Sequence, residues 1–476
     1  MTGKRALASD SSAGRRIGED EARGPASADN AALAAPPSLG QALRTWAKIG
    51  LISFGGPAGQ IALMHRIVVD DRHWVDEPRF LHALNFCMLL PGPEAQQLAV
   101  YLGWLMHGTS GGLAAGILFV LPGALVMLAL SMLYVLSADL PAISGVFWGI
   151  KAAVLAIVVE AILRIGRRAL RNPALYTLAG AAFAALFFFS APFPVIILAA
   201  GMIGAMGVRR WPAAFAPPGG GDGDGNSRTA KTIPTPSPHA RRSSSRWVTA
   251  GLGAVLWFGP TAAIALALGS SSAFTDIGIF FSKMAVVTFG GAYAVLTYVA
   301  QQAVATYHWL APGEMLTGLG LAETTPGPLI MVVQFVAFLG AYRAPGGLEP
   351  MTAGILGAML ATWVTFVPCF LWIFLGAPYI ERLRGNRRLT AALTAITAAV
   401  VGVILNLALW FALHVLFTQL DDWHAGPLRL LVPDFASLDP RALALTVAAM
   451  IAMLRFKIGV LPILAAAAMI GILLRT

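Results

Sequence analysis

The sequence predicts an all-α integral membrane protein of about 13 transmembrane helices, arranged as two inverted, antiparallel repeats that contain broken helices. The composition, an internal duplication and Gly/Pro interruptions of apolar segments support this fold class. Of the 476 residues, 57% are hydrophobic and only 12% are charged, whereas soluble proteins average about 45–50% and about 25%. Apolar segments of about 20 residues, long enough to cross a bilayer, recur along the chain.

Composition divides the chain into four parts. Residues 1–40 are rich in Ala, Ser, Gly and mixed charge and lack the apolar core of a secretory signal, which predicts a disordered cytoplasmic tail. Residues 209–246 include GGGDGDGNSRT and PTPSPHARRSSSR, a composition typical of flexible linkers. This predicted cytoplasmic linker separates an N-terminal repeat, residues 41–208, from a C-terminal repeat, residues 247–476.

Charge and cysteine content exclude several partners and cofactors. In a membrane protein, a net charge of +10 indicates basic cytoplasmic loops. A nucleic-acid partner would need basic residues collected on one soluble face, and the sequence shows no such collection. Cys87 and Cys369 lie far apart in apolar segments, so they cannot form a CxxC-type metal or redox site. We therefore expect no metal and no cofactor.

The two halves match without gaps at a spacing of 235 residues. This spacing relates the pairs Phe54-Gly55-Gly56 and Phe289-Gly290-Gly291, Pro91-Gly92-Pro93 and Pro326-Gly327-Pro328, His73-Trp74 and His308-Trp309, and Lys48 and Lys283. Four matches in one register indicate a duplication. Repeats in membrane transporters place the substrate site at their interface, near the bilayer midplane.

The distribution of arginines predicts the orientation of the spans. The first half has candidate spans at about 42–69, 80–107, 112–136, 141–163, 173–190 and 192–208, and an extra span follows at about 247–268. The second half has spans at about 276–304, 313–342, 351–379, 388–416, 440–455 and 457–474. With the N-terminus inside, the basic segments 164–171, 209–246 and 382–388 all lie inside. The extra span inverts the second half, which predicts antiparallel repeats and favours a transporter.

Glycine and proline interrupt these apolar spans at repeat-equivalent positions. Gly55-Gly56-Pro57 suits a helix end followed by a new helix start. Pro91-Gly92-Pro93 and Pro326-Gly327-Pro328 break their spans, because proline lacks an N–H and restricts the residue before it. Free backbone groups at membrane depth are tolerated where they are buried or line a cavity. A helix that resumes there presents N–H groups and a positive dipole end, which predicts an anion site. The alternative is a packing kink.

Polar residues inside the spans are further candidates. Lys48 and Lys283 could draw a dianion toward the site from opposite faces, or could simply extend to the membrane interface. Gln96, Gln97 and Gln334 could bind oxyanion oxygens or a neighbouring helix.

Two carboxyl groups adjoin the breaks. Glu94 and Glu323 would repel an anion unless they are protonated, which makes both candidates for proton coupling. The alternative is that each satisfies N–H groups at a helix start. Lys151 and Glu160, both in the fourth span, receive no role.

Four segments around the breaks closely resemble the chromate ion transporter family. They are FGGPAGQIALMHR (54–66), LNFCMLLPGPEAQQLAVYLGWL (84–105), FSKMAVVTFGGAYAVL (281–296) and GLAETTPGPLIMVVQFVAFLGAY (320–342). The resemblance covers about residues 40–475 and fits the long, two-domain members. It implies a bacterial inner-membrane transporter that expels chromate and confers resistance to it. Thr297 stands where such proteins are expected to have a proline, which affects only the kink at that position.

Three other functions are compatible with parts of the sequence. A carrier for sulfate would bind an anion of the same charge and similar shape. A membrane-embedded enzyme acting on lipid diphosphates could hold Mg²⁺ at Asp70, Asp71 and Asp76, but the repeat-equivalent positions are Ala305, Thr306 and Ala311. A permease subunit would need a partner for ATP hydrolysis, since the chain has no GxxxxGK[ST] motif.

Overall fold

The computed structural model describes residues 37–137, 140–215, 246–289, 291–377, 386–426 and 428–475. The helices of the first half are α1 (Leu39–Ile52), α2 (Gly56–His65), α3 (Glu77–Cys87), α4 (Glu94–Ser137), α5 (Pro141–Ala169), α6 (Pro173–Phe189) and α7 (Phe193–Arg210). Those that follow are α8 (Arg246–Leu268), α9 (Ala273–Val287), α10 (Ala292–Gln301), α11 (Glu314–Thr324), α12 (Val332–Arg343), α13 (Pro350–Gly376), α14 (Arg387–Leu416), α15 (Pro440–Leu454) and α16 (Val460–Arg475).

The predicted breaks are present in the structure. The span predicted at 42–69 is divided into α1 and α2, and the span at 80–107 into α3 and the start of α4. The corresponding spans of the second half are divided in the same way, into α9 and α10 and into α11 and α12. These broken helices are confirmed, and each interruption falls at the Gly/Pro motif that predicted it.

Six helices of the described chain are long and apolar enough to cross a membrane: α4, α5, α7, α8, α13 and α14. Shorter apolar helices add to them at Pro173–Phe189, Leu329–Arg343, Pro440–Leu454 and Val460–Leu474. The chain is therefore a multi-pass helical membrane protein. Helix α4 covers the end of the span predicted at 80–107 and the whole span predicted at 112–136, and non-helical backbone at His107 (φ −134°) and Gly108 (φ 63°) divides the two parts.

Strand structure occurs in one place within the described residues. The acidic segment after α14 forms an antiparallel hairpin of β1 (Leu420–Ala425) and β2 (Leu428–Pro433). The spans predicted at 388–416 and 440–455 leave only a connecting segment here. Tail residues 1–36 and linker residues 216–245 lie outside the described chain, so their predicted character remains a prediction.

The duplication is visible in the backbone as well as in the sequence. The N–H of Trp74 donates to the carbonyl of Val68 at 2.9 Å, and 235 residues later Trp309 donates to Ala303 at 2.8 Å. A π-helical segment precedes each of these turns, at Arg66–Asp71 and Gln302–Thr306. His73 and His308 adopt nearly the same positive φ, 51° and 53°. The two repeats therefore share an unusual local conformation.

The last helices of each half pack against a helix of the other half. Helix α5 of the first half packs against α15 and α16 of the second, and α14 of the second half packs against α6 and α7 of the first. Small residues permit close approach, because a Cβ on Gly149 would lie 2.0 Å from the carbonyl oxygen of Ala467. A Cβ on Gly402 would likewise lie 2.0 Å from the carbonyl oxygen of Ala179.

Helix α8 lies at the edge of this bundle. It packs against α9 and α13, and most of its large apolar side chains remain exposed, including Trp247 at 86% and Leu266 at 89%. Such a surface suits contact with lipid tails. This helix is the extra span that the sequence predicted between the repeats.

Candidate functional site

The helix breaks of both repeats meet at one small cavity. Its volume is about 20 Å³, room for about one water molecule. Helices α2, α4 and α10 begin at its wall, as does the 3₁₀ turn Leu329–Met331 that leads into α12. The lining residues are Pro57, Gln60, Gly92, Pro93, Glu94, Ala95, Thr288, Gly291, Ala292, Pro328, Leu329 and Ile330.

Most of this lining consists of repeat-equivalent pairs. At the spacing of 235, Pro57 corresponds to Ala292, Pro93 to Pro328, Glu94 to Leu329 and Ala95 to Ile330. Each repeat therefore supplies matching positions to the wall, as expected for a site at the interface of two repeats.

Reciprocal backbone hydrogen bonds join the two repeats beside the cavity. The N–H of Gly92 donates to the carbonyl of Thr288 at 2.9 Å, and the N–H of Gly327 donates to the carbonyl of Ser53 at 2.8 Å. Gly92 and Gly327 have φ of 117° and 97°, which side chains with a Cβ rarely adopt. The Pro-Gly-Pro motifs thus hold each repeat to the FGG break of the other.

The electrostatic character of the cavity comes from helix starts. The first N–H groups of a helix have no intrahelical acceptor and carry the positive end of the helix dipole. With four helical segments beginning at one wall, the cavity is suited to negative charge.

Two polar side chains reach this wall. Gln60 is 1% exposed, its Nε2 donates to the carbonyl of Gly327 at 2.5 Å, and its Oε1 has no partner. Glu94, at the start of α4, is the ionisable residue of the lining.

The structure brings some of the predicted site residues together here and not others. Of the predicted set, the residues that line the cavity are Pro57, Gly92, Pro93, Glu94, Gly291 and Pro328. The adjoining residues Phe54, Gly55, Gly56, Pro91, Phe289, Pro326 and Gly327 belong to the breaks without lining the cavity. Gly290 lies outside the described residues.

Lys48 and Lys283 lie on exposed surfaces of α1 and α9 and do not line the cavity. Their proposed role in drawing in an anion remains a prediction, and the observed placement favours contact with water or the membrane interface.

The glutamines that follow the breaks support the helices. The Nε2 of Gln97 donates to the carbonyl of Pro91 at 2.7 Å, which closes the first break. The Nε2 of Gln334 donates to Ala124 of α4 at 3.1 Å. Gln96 is fully buried and neither atom of its amide has a partner, so it could accept a ligand only if the cavity widens.

Glu323 lies beside the cavity rather than in it. It is 5% exposed, and the hydroxyl of Tyr293 donates to its Oε1 at 2.5 Å. Glu160 and Arg164 of α5 pair at 3.6 Å and are close enough to act electrostatically on Glu323. Sequence reasoning found Glu323 but not this environment, and it gave Glu160 no role.

An ionic cluster that the sequence did not reveal joins α11 and α12, the helices on either side of the break at Pro326-Gly327-Pro328. Glu314 accepts two hydrogen bonds from the guanidinium of Arg343, at 2.7 and 2.8 Å, and one from the hydroxyl of Tyr134 at 2.9 Å. These residues come from α11, α12 and α4, and their sequence separations give no local pattern. Gln60 and Thr288 were also missed, although Thr288 is the repeat equivalent of Ser53.

A second, larger cavity of about 520 Å³ opens beside the hairpin. Its polar lining includes Lys151, His414 and Asp439, with Trp148 donating to Asp439 at 3.3 Å. Lys151 thus lines a large cavity on the side of the bundle that carries β1 and β2.

Two of the three acidic residues considered for Mg²⁺, Asp70 and Asp76, have local partners. Asp70 pairs with His65 at 3.3 Å, and Asp76 accepts the N–H of Arg79 at the start of α3. Within the described residues, no group of three or more His, Cys, Asp or Glu side chains is arranged to hold a metal ion.

Known proteins similar to this chain are transport proteins. A chromate transport protein of Pseudomonas aeruginosa is 32% identical over 395 residues, which are 82% of this chain and 85% of that protein. One of Cupriavidus metallidurans is 27% identical, covering 77% of this chain and 81% of its own length. A probable chromate transport protein of Synechococcus elongatus is 26% identical, with 77% and 83% covered. No solved structure matches the chain.

The sequence model of the chromate transporter family matches this chain twice, over residues 40–205 and 275–472. These two regions hold both sets of helix breaks and correspond to the two repeats. The chain therefore belongs to the chromate transporter family.

Proposed function

We propose that this chain is a secondary transporter that exports chromate across the bacterial inner membrane and so confers chromate resistance. The observation that carries the proposal is the convergence of helix starts from both repeats on one cavity. Oriented N–H groups and helix dipoles bind anions without a fixed cation. Relatives that share most of the length are named as chromate transport proteins.

The topology that suits this function has about 13 spans, a cytoplasmic N-terminus and inverted repeats. The exchange of α5 with α15 and α16, and of α14 with α6 and α7, supports two structurally equivalent halves. Arginines end α5 and α7 and begin α14, and basic loops favour the cytoplasm. Alternating access would then move one repeat against the other around the central cavity.

Reporter fusions test this topology. We expect 164–171, 209–246 and 382–388 to report a cytoplasmic location and 417–440 an external one. If 164–171 and 382–388 reported opposite faces, the antiparallel arrangement would be wrong.

Export of a dianion is favoured by the membrane potential. Moving one charge through 100 mV is worth about 2.3 kcal/mol, so an outgoing dianion gains about twice that in a cell that is negative inside. The resting potential is therefore sufficient to drive efflux without ATP. Coupling to protons, with Glu94 and Glu323 as the candidate groups, would change this balance.

Sulfate is the second candidate substrate, because N–H groups at helix starts discriminate weakly between tetrahedral dianions of similar size. Radiolabelled chromate flux in inverted vesicles, with and without a pH gradient, tests the proposal. We expect uptake into inverted vesicles that vesicles without the protein lack. Sulfate competition at equal concentration would then rank the two anions, and an absence of chromate uptake would refute the proposed function.

A further inference from the structure

Glu94 differs from the rest of the cavity wall in charge. Its repeat equivalent, Leu329, lines the same cavity. Among the lining residues, which all lie in the described chain, Glu94 is the group that can carry a charge. The two repeats therefore present a carboxyl group and an apolar side chain at matching positions of one anion site.

The side chain of Glu94 is also the polar group of the lining that is least restrained by hydrogen bonds. Gln60 is bonded to the carbonyl of Gly327, and Gly92 and Thr288 are bonded to each other through the backbone. No hydrogen bond or ion pair joins the side chain of Glu94 to another residue of the described chain. A cavity of about 20 Å³ is too small for a tetrahedral oxyanion. Entry of an anion therefore requires the wall to move, and this side chain can withdraw without breaking a hydrogen bond.

The charge of Glu94 determines whether an oxyanion can take the place of its side chain in the cavity. The helix starts that attract an oxyanion also attract the ionised carboxylate of Glu94, because both are negative oxygen groups. Two negative groups in one low-dielectric cavity repel strongly. The anion site and the carboxylate are therefore mutually exclusive unless the carboxyl group is protonated.

We propose that ionised Glu94 competes with the transported oxyanion for the cavity, so that the anion binds to the protein in which Glu94 is protonated. This inference rests on the proposed function and names the ion linked to it. Each bound dianion then brings one proton, and export of the pair moves one net negative charge.

The surroundings of Glu94 leave this role to the carboxyl group itself. Two buried thiols lie on neighbouring elements: Cys87 of α3, on which Glu94 acts electrostatically, and Cys369 of α13, whose sulfur lies beside Gly92. On α10, the lining residue Ala292 is followed by Tyr293, which is bonded to Glu323. No Lys, Arg or His belongs to the lining, so no cation in the wall neutralises Glu94.

Equilibrium binding of radiolabelled chromate to purified protein between pH 6 and 9 tests the proposal. The protonation of chromate itself affects wild type and Glu94→Gln alike. The dissociation constant of the wild type divided by that of the variant therefore isolates the contribution of Glu94. By linkage, this ratio should rise about tenfold per pH unit once the carboxyl group ionises. Leu329→Gln is the matched control, since it adds the amide at the equivalent position and keeps Glu94. It should show the pH slope of the wild type.

A second measurement does not depend on the variant. At alkaline pH, where chromate is fully dianionic, binding to wild type should take up about one proton per bound anion, measured with an indicator in weak buffer. Parallel pH profiles for wild type and Glu94→Gln, or binding without proton uptake, would overturn the inference and leave the proposed function standing. A wild-type protein that binds no chromate at any pH would overturn both.

Discussion

Substitution of Gly123 tests whether transport depends on the position of the helix break at Pro326-Gly327-Pro328. A Cβ on Gly123 of α4 would lie 2.3 Å from the carbonyl oxygen of Pro326, where ordinary contacts begin at 3.4 Å. In Gly123→Ala, the break must therefore move by about 1 Å. Overpacking of this kind typically costs about 1–3 kcal/mol.

The displaced segment is hydrogen-bonded to the first repeat beside the cavity. The N–H of Gly327, the residue after Pro326, donates to Ser53 at 2.8 Å, and its carbonyl accepts from Gln60. A shift of about 1 Å should weaken both bonds and separate the helix starts. We expect chromate flux in vesicles to fall by about tenfold or more, since misplacement by about 1 Å can cost up to about 10²-fold.

The control is Gly180→Ala in α6. A Cβ there meets no atom within 4 Å, and alanine is favoured over glycine in a helix by up to about 1 kcal/mol. We expect this variant to match wild type in flux and in thermal stability in detergent. If Gly123→Ala also matched wild type in flux and in thermal stability, the close packing of α4 against the break at Pro326-Gly327-Pro328 would not matter for transport. That result would refute the reasoning.

Three further variants separate binding from coupling. Replacing Pro91 and Pro93 together with Ala should let a continuous helix form across the first break, so that vesicle flux is lost while membrane insertion is retained; normal flux would make the break a packing kink. Glu323→Gln should keep chromate binding but weaken the response of flux to a pH gradient at fixed potential, leaving the part that Glu94 carries, and Tyr293→Phe should change that response in the same direction. An unchanged pH slope in Glu323→Gln would remove this carboxyl group from the mechanism.

The helix breaks could be predicted from the sequence because their cause is local. Proline and glycine disrupt a helix at the residue where they stand, and the spacing of 235 showed that Pro91-Gly92-Pro93 and Pro326-Gly327-Pro328 are equivalent. The meeting of all four breaks at one cavity followed from the general placement of transporter sites between repeats.

The cluster of Glu314, Arg343 and Tyr134 could not be predicted in this way, because its members meet only through packing of α4 against α11 and α12. The hairpin of β1 and β2 was missed for a related reason. Its six-residue strands lie in a short connection between two predicted spans, and strands this short give little periodic signal in the sequence. The exposed positions of Lys48 and Lys283 likewise depend on which side of α1 and α9 faces the bundle.

The exchange of terminal helices between the halves sets the order in which the chain can mature during synthesis. The surface of α5 around Gly145 and Gly149 packs against Gly471 and Ala467, which leave the ribosome about 320 residues later. At about 5–20 residues per second, roughly 15–60 s separate the two events. During that interval, the surface of α5 around Gly145 and Gly149 is not covered by α16. The first half therefore lacks the packing partner of α5 until α16 has been synthesised.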